Sequence, residues 1–113
     1  MGIGQFQSTL HARILQTVRD FVHAGKWIGA VCAGPLVLQA AGVLNSRRVT
    51  CSPAVASQLT ATRRLEDRVV TDGRLVTSQG PGTCFAFALA MVEHIEGAEK
   101  AMTLAQAMGV SEA

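Results

Sequence analysis

Aromatic residues are scarce in this chain, 4% of 113 residues, with one Trp, four Phe and no Tyr. Charge is thin as well: 16% of residues are charged, and ten Lys and Arg against eight Asp and Glu leave a net charge of +2. A nucleic-acid surface needs a dense basic stripe and stacking rings, so both scarcities argue against one. The pairs Arg47-Arg48 and Arg63-Arg64 read as solvated surface arginines. No apolar run approaches the ~20 residues of a membrane span. The N-terminus shows no basic segment followed by a long apolar one, so no secretory leader is read there. Cys32, Cys51 and Cys84 form no CxxC pair and no metal-ligand spacing. An odd cysteine count without a leader predicts a reducing, cytoplasmic setting.

Apolar residues, in contrast, are plentiful, at 49%. A chain this short is one domain at most, with much surface to cover, so the composition predicts apolar area that a partner buries. Helix and strand patterns alternate. Leu10, Ile14, Leu15, Val18, Phe21 and Val22 recur at helical spacing, predicting a helix from a Ser8 cap to about Ala24. Trp27–Val31 reads as a strand and Pro35 to Gly42 as a short helix. Arg48–Cys51 reads as a second short strand, followed by a Ser52 cap and a short helix opening at Pro53. Val69–Thr77 reads as a hairpin turning at Asp72-Gly73. The glycine-rich loop Ser78–Thr83 then opens an apolar helix to Glu96, and Ala98–Met108 forms the last one.

Within this pattern the segment Trp27-Ile28-Gly29-Ala30-Val31-Cys32-Ala33-Gly34-Pro35 carries the chemistry. An apolar strand running into Cys-Ala-Gly-Pro predicts a sharp strand-to-helix turn, with the thiol at its apex and helix amides behind it. Those amides favour an anion, and so a thiolate at Cys32. The plainer alternative is a small buried hydrophobe, as most free cysteines are.

Strands separated by helices imply parallel units in an open α/β sheet. The pattern supplies one strong strand, expected at the centre, one short strand and a hairpin, fewer than such sheets normally hold. The strand expected before the first helix is absent, so residues 1–113 are expected to be a single partial domain.

Val31-Cys32-Ala33-Gly34-Pro35 together with Leu75-Val76-Thr77-Ser78-Gln79-Gly80-Pro81-Gly82-Thr83 resembles the ThiJ/PfpI superfamily, and within it the protein-deglycase (DJ-one-like) subgroup. The likeness runs from about Gly4 to Met108. It implies a flavodoxin-like parallel-sheet sandwich, of the class I glutamine amidotransferase type, with the N-terminal strands missing from this chain. It also implies a homodimer, with Cys32 as the catalytic or redox-active residue. Glyoxalase-type hydration of methylglyoxal, repair of glycated groups, peroxide sensing and chaperone-like holding are the activities the family implies, none with a metal or organic cofactor. The implied partners are a small reactive aldehyde or a glycated protein. In this scheme the Ala33 amide holds the oxyanion or a sulfinate oxygen. Gly34, Ser52, Gln79 and Gly80 form the rim.

The departures are specific. The family's early glutamate, its general acid or base, has no counterpart here and is expected from a missing N-terminal segment or a second polypeptide. Gly2 and Gly4 read as the tail of its glycine-rich loop. The histidine that many members place before the proline of the next turn is Ser52, and serine is a poor base. The histidine that follows the cysteine in the protease-like branch is Ala33, which argues against peptidase activity. Cys51 is a resolving-thiol candidate or a packed strand-end residue, and Cys84 is expected in the core or at a dimer contact. His11, His23 and His94 read as surface or capping residues. A deglycase or glyoxalase-type enzyme, a redox-sensing chaperone and an inactive truncated family member all remain open.

Overall fold

A computed structural model describes residues 3–110, with side chains described for residues 10–110. Helix α1 (Ile3–His23) leads into strand β1 (Ile28–Val31) and helix α2 (Gly34–Ala40). A 3-10 helix at Pro53–Gln58 precedes strands β2 (Val69–Asp72) and β3 (Leu75–Ser78). A 3-10 turn, Pro81–Thr83, opens helix α3 (Cys84–Glu96), and helix α4 (Ala98–Met108) closes the described chain. Among the described residues, no helix is long and apolar enough to cross a membrane.

The three strands lie in the order β1-β3-β2. β1 runs parallel to β3, with Ile28 opposite Leu75 and Val31 opposite Ser78. β2 runs antiparallel to β3, with Asp72 opposite Leu75. The strand expected at the centre, β1, is therefore at an edge of this sheet, and β3 is central. Burial agrees: all four residues of β3 are buried, whereas in β1 only Ala30 is. A near-continuous apolar run marks a buried strand, but it does not say on how many sides the strand is paired.

Other elements also differ from expectation. Helix α1 begins at Ile3, so Ser8 is an interior residue rather than its cap, and Gly4 lies in the helix rather than in a loop; Gly2 is outside the described residues. The Arg48–Cys51 segment forms only a parallel bridge, Val49 with Arg64. Its backbone bonds go elsewhere: the Arg48 N–H to the Asp72 carboxylate at 2.7 Å and the Thr50 N–H to Thr77 Oγ1 at 3.0 Å. The two-residue hairpin loop is Gly73-Arg74, with Gly73 at φ +61 and Asp72 still in the strand. That is the placement of a turn with glycine at its first central position.

The core gathers between the sheet and α2. Leu44, Val49 and Cys51 are fully buried, with Ala30, Leu38, Leu59 and Leu75 around them, and Val18 and Ile28 pack against the cluster. Each large apolar side chain buried there contributes ~1.5–3 kcal/mol. Among the described side chains of α1, Val18 packs on the cluster, whereas Leu10 and Ile14 of the same stripe are exposed.

Candidate functional site

β1 ends at Val31, and the next residue, Cys32, takes φ +59, a left-handed conformation that non-glycine residues rarely adopt. Three constraints hold it there. The Cys32 N–H donates to the Ser78 carbonyl at 3.2 Å, continuing the β1–β3 ladder one step past the strand. The Cys32 carbonyl accepts from the Ser52 N–H at 2.9 Å. Pro35, buried in the first turn of α2, restricts the exit of the chain. A strained residue fixed by its surroundings is common where chemistry is done.

Beyond the apex the chain enters α2 through Ala33 (φ −88, ψ −4), whose carbonyl accepts from Leu36 N at 2.9 Å. The N–H groups of Ala33 and Gly34 have no hydrogen-bond partner among the described residues. They are two free donors immediately after the thiol. Cys32 itself is half-buried. Gly80 approaches it so closely that a Cβ at that position would stand 3.3 Å from the Cys32 sulfur. Any side chain at position 80 crowds the thiol, and glycine is the residue that does not.

The structure brings most of the expected rim together. Ser52 touches the cysteine through its backbone, while its Oγ accepts from Ala54 N at 3.2 Å and so caps the following turn. Gly34 and Gly80 flank the thiol's own turn. Gln79 is a partial exception, because its side-chain amide donates to the carbonyls of Glu66 at 2.7 Å and Asp67 at 3.0 Å. That amide ties the 66–67 segment to the loop.

Two residues of this neighbourhood escaped sequence reasoning. Ser78 and Thr83 are buried, and their hydroxyls bond each other at the ends of the glycine-rich loop. Ser78 Oγ also donates to the Arg68 carbonyl at 2.7 Å, and Thr83 Oγ1 accepts from the Gly80 N–H at 3.1 Å. The available signal was a hydroxyl residue three positions after Gly80, at a helix start.

The remaining candidates separate by burial. Cys51 is fully buried within the apolar cluster, as a packing residue would be. Cys84 is exposed in this chain and is not a core residue. His11 and His23 are exposed, as expected of surface histidines. His94, also exposed, stacks on Trp27 with ring centroids 4.8 Å apart, and its Nε2 lies 3.0 Å from Thr71 Oγ1. Among the described residues, no group of three His, Cys, Asp or Glu side chains is placed to hold a metal ion.

Comparison with known proteins gives a consistent result. Residues 3–94 match the model of the DJ-1/PfpI family. The glutathione-independent glyoxalase DJR-1.2 of Caenorhabditis elegans is 46% identical over 91 residues, covering 79% of this chain and 48% of its own length. Protein DJ-1 homolog B of Arabidopsis thaliana is 41% identical over 96 residues, covering 84% of this chain and 22% of its own. The crystal structure of Drosophila melanogaster DJ-1beta superposes with a TM-score of 0.85 at 33% identity, over 99% of this chain and 62% of that one. The chain thus spans about half or less of the length of these two curated relatives.

Proposed function

The chain belongs to the DJ-1/PfpI family and has part of its flavodoxin-like α/β fold, and on that premise we propose that it is the cysteine-bearing portion of a glyoxalase or deglycase-type enzyme. Cys32 is the nucleophile, and methylglyoxal or its adducts are the substrates. The observation that carries this reading is the left-handed Cys32 at the end of β1, with the unpartnered amides of Ala33 and Gly34 beside it. The Caenorhabditis relative, named as a glutathione-independent glyoxalase, supports the same chemistry.

In the proposed reaction the Cys32 thiolate attacks the aldehyde carbon of methylglyoxal. A C–S bond forms, the carbonyl π pair moves to oxygen, and the Ala33 amide donates to the resulting oxyanion. A base moves the proton from that carbon to its neighbour, converting the hemithioacetal into a lactoyl thioester of the same composition. Water then cleaves the C–S bond, releasing lactate and the thiol. The base is the glutamate that the family carries, supplied by a segment other than residues 1–113, and Ser52 does not replace it. No metal or organic cofactor enters the sequence of steps. The setting proposed is a cytoplasmic homodimer, protective under carbonyl or oxidative stress; the exposed Phe85, Ile95 and Met102 supply apolar surface for a second copy.

The test is conversion of methylglyoxal to lactate by the intact protein and its Cys32→Ala variant. Loss of about 10³-fold or more is expected when a nucleophile is removed. A variant that keeps the parent rate overturns the reading.

A second reading, a redox sensor with chaperone-like function, is favoured by Cys32 being only half-buried, in contrast to the fully buried Cys51. Peroxide takes the thiolate to the sulfenate and a second equivalent to the sulfinate, whose oxygen the Ala33 amide holds. Mild peroxide should then modify Cys32 well before Cys51 or Cys84, and equal modification of all three counts against it.

A further inference from the structure

The loop Ser78–Thr83 does more than connect β3 to α3. Its two ends are joined by the buried Ser78 and Thr83 hydroxyls, its Gly80 amide is taken by Thr83 Oγ1 at 3.1 Å, and Ser78 Oγ anchors the pair to the Arg68 carbonyl at 2.7 Å. On the other side of the same loop lies Gly80, where an added Cβ would stand 3.3 Å from the Cys32 sulfur. The Ser78 carbonyl, meanwhile, receives the Cys32 N–H. One short segment therefore fixes the backbone of the cysteine through one residue and confines its sulfur through another.

We propose that Ser78 and Thr83 form a buried hydroxyl latch that seats Gly80 against the Cys32 sulfur, and that both are positioning residues for this thiol. The proposal rests on the reading of Cys32 as the reacting group. Its physical content is specific. The latch consumes the Gly80 N–H, so that amide is not an oxyanion donor, and the amides of Ala33 and Gly34 remain for that task. The seated glycine leaves the sulfur room that a side chain at position 80 would take. Thr83 is buried, so removing its hydroxyl while keeping its shape leaves the Gly80 N–H without a partner. The loop then loses the bond that seats Gly80.

The three cysteines supply their own controls. Cys84 is exposed and serves as the accessible reference thiol, and Cys51 is fully buried and reports loss of the fold. Iodoacetamide labelling of the intact protein, read at each cysteine by mass spectrometry, compares the parent with Thr83→Val and Thr83→Ser. A hydrogen bond of ordinary strength corresponds to about a tenfold change in rate or equilibrium. In Thr83→Val, Cys32 should alkylate about tenfold faster relative to Cys84 while Cys51 stays protected, and kcat for methylglyoxal should fall by a similar factor. Thr83→Ser, which keeps the hydroxyl, should restore both. An unchanged Cys32-to-Cys84 ratio in Thr83→Val, with Cys51 protected, overturns the latch.

If Thr83→Val exposes Cys51, Gly80→Ala decides the matter. Its added methyl stands against the sulfur and should slow Cys32 alkylation, and a parent-like ratio overturns the proposal. Alkylation tests the latch independently of turnover. Absence of methylglyoxal turnover in the parent protein removes the glyoxalase reading, whereas an unmoved alkylation ratio removes the latch.

Discussion

Cys32 and Thr50 each carry an unfavourable term in this molecule. Cys32 stands at φ +59, where a side chain costs roughly 1–2 kcal/mol relative to glycine. Part of that is recovered when glycine is introduced, less the greater freedom glycine has in the unfolded chain. Cys32→Gly should therefore unfold above Cys32→Ala, by about 0.5–1 kcal/mol in thermal melts, although both lack the nucleophile. Equal stabilities would show that the surroundings relax around the turn. The second residue is Thr50, fully buried, whose hydroxyl oxygen has no partner among the described residues. Its backbone N–H is satisfied by Thr77 Oγ1, a bond that valine leaves intact. Thr50→Val should raise stability by about 1 kcal/mol, measured by denaturant titration, because it removes a polar atom that gains nothing from burial.

The elements show which signals a sequence carries and which it does not. The hairpin, α2, α3 and α4 were all legible, since each combined a periodic apolar pattern with a glycine or proline boundary. The cysteine turn was legible for the same reason, from Val31 to Pro35. The second strand was not, because its partners are side chains from distant strands, Asp72 and Thr77, and no local pattern announces such bonds. The central place of β3 was hidden too: strand order is set by pairing between segments far apart, and β1 and β3 are both apolar. Ser78 and Thr83 went unnoticed because hydroxyl residues in a glycine-rich loop usually face water. Gln39 of α2 belongs with them. Its side chain accepts from the N–H groups of Thr60 and Ala61, at 2.7 and 2.9 Å, and donates to the Gln58 carbonyl at 2.9 Å. One glutamine thus terminates the 3-10 helix from outside it. In Gln39→Ala, amide hydrogen exchange at Thr60 and Ala61 should accelerate about tenfold or more, with little change in β3. Uniform acceleration across the chain would assign Gln39 to global stability instead.

For the whole molecule the apolar surface dominates. The radius of gyration is 15.4 Å, against about 13 Å for a compact domain of this length. Phe85 and Ile95 are each 57% exposed and Met102 is 63% exposed. Surfaces of that kind associate. Light scattering of the purified chain at micromolar concentration should give a mass well above 11.9 kDa. A monodisperse monomer would show that these faces tolerate water. The sheet has one more consequence, and it concerns time. β2 and β3 are joined by a two-residue loop, whereas β1 must find β3 across the 43 residues between Val31 and Leu75. Short loops close early and long ones late, so the hairpin precedes the docking of β1 during folding. In pulse-labelled refolding the amide of Cys32, bonded to Ser78 only once β1 has docked, should gain protection after that of Val70. The thiol turn is then assembled after the hairpin, and a half-folded chain holds the hairpin without a site.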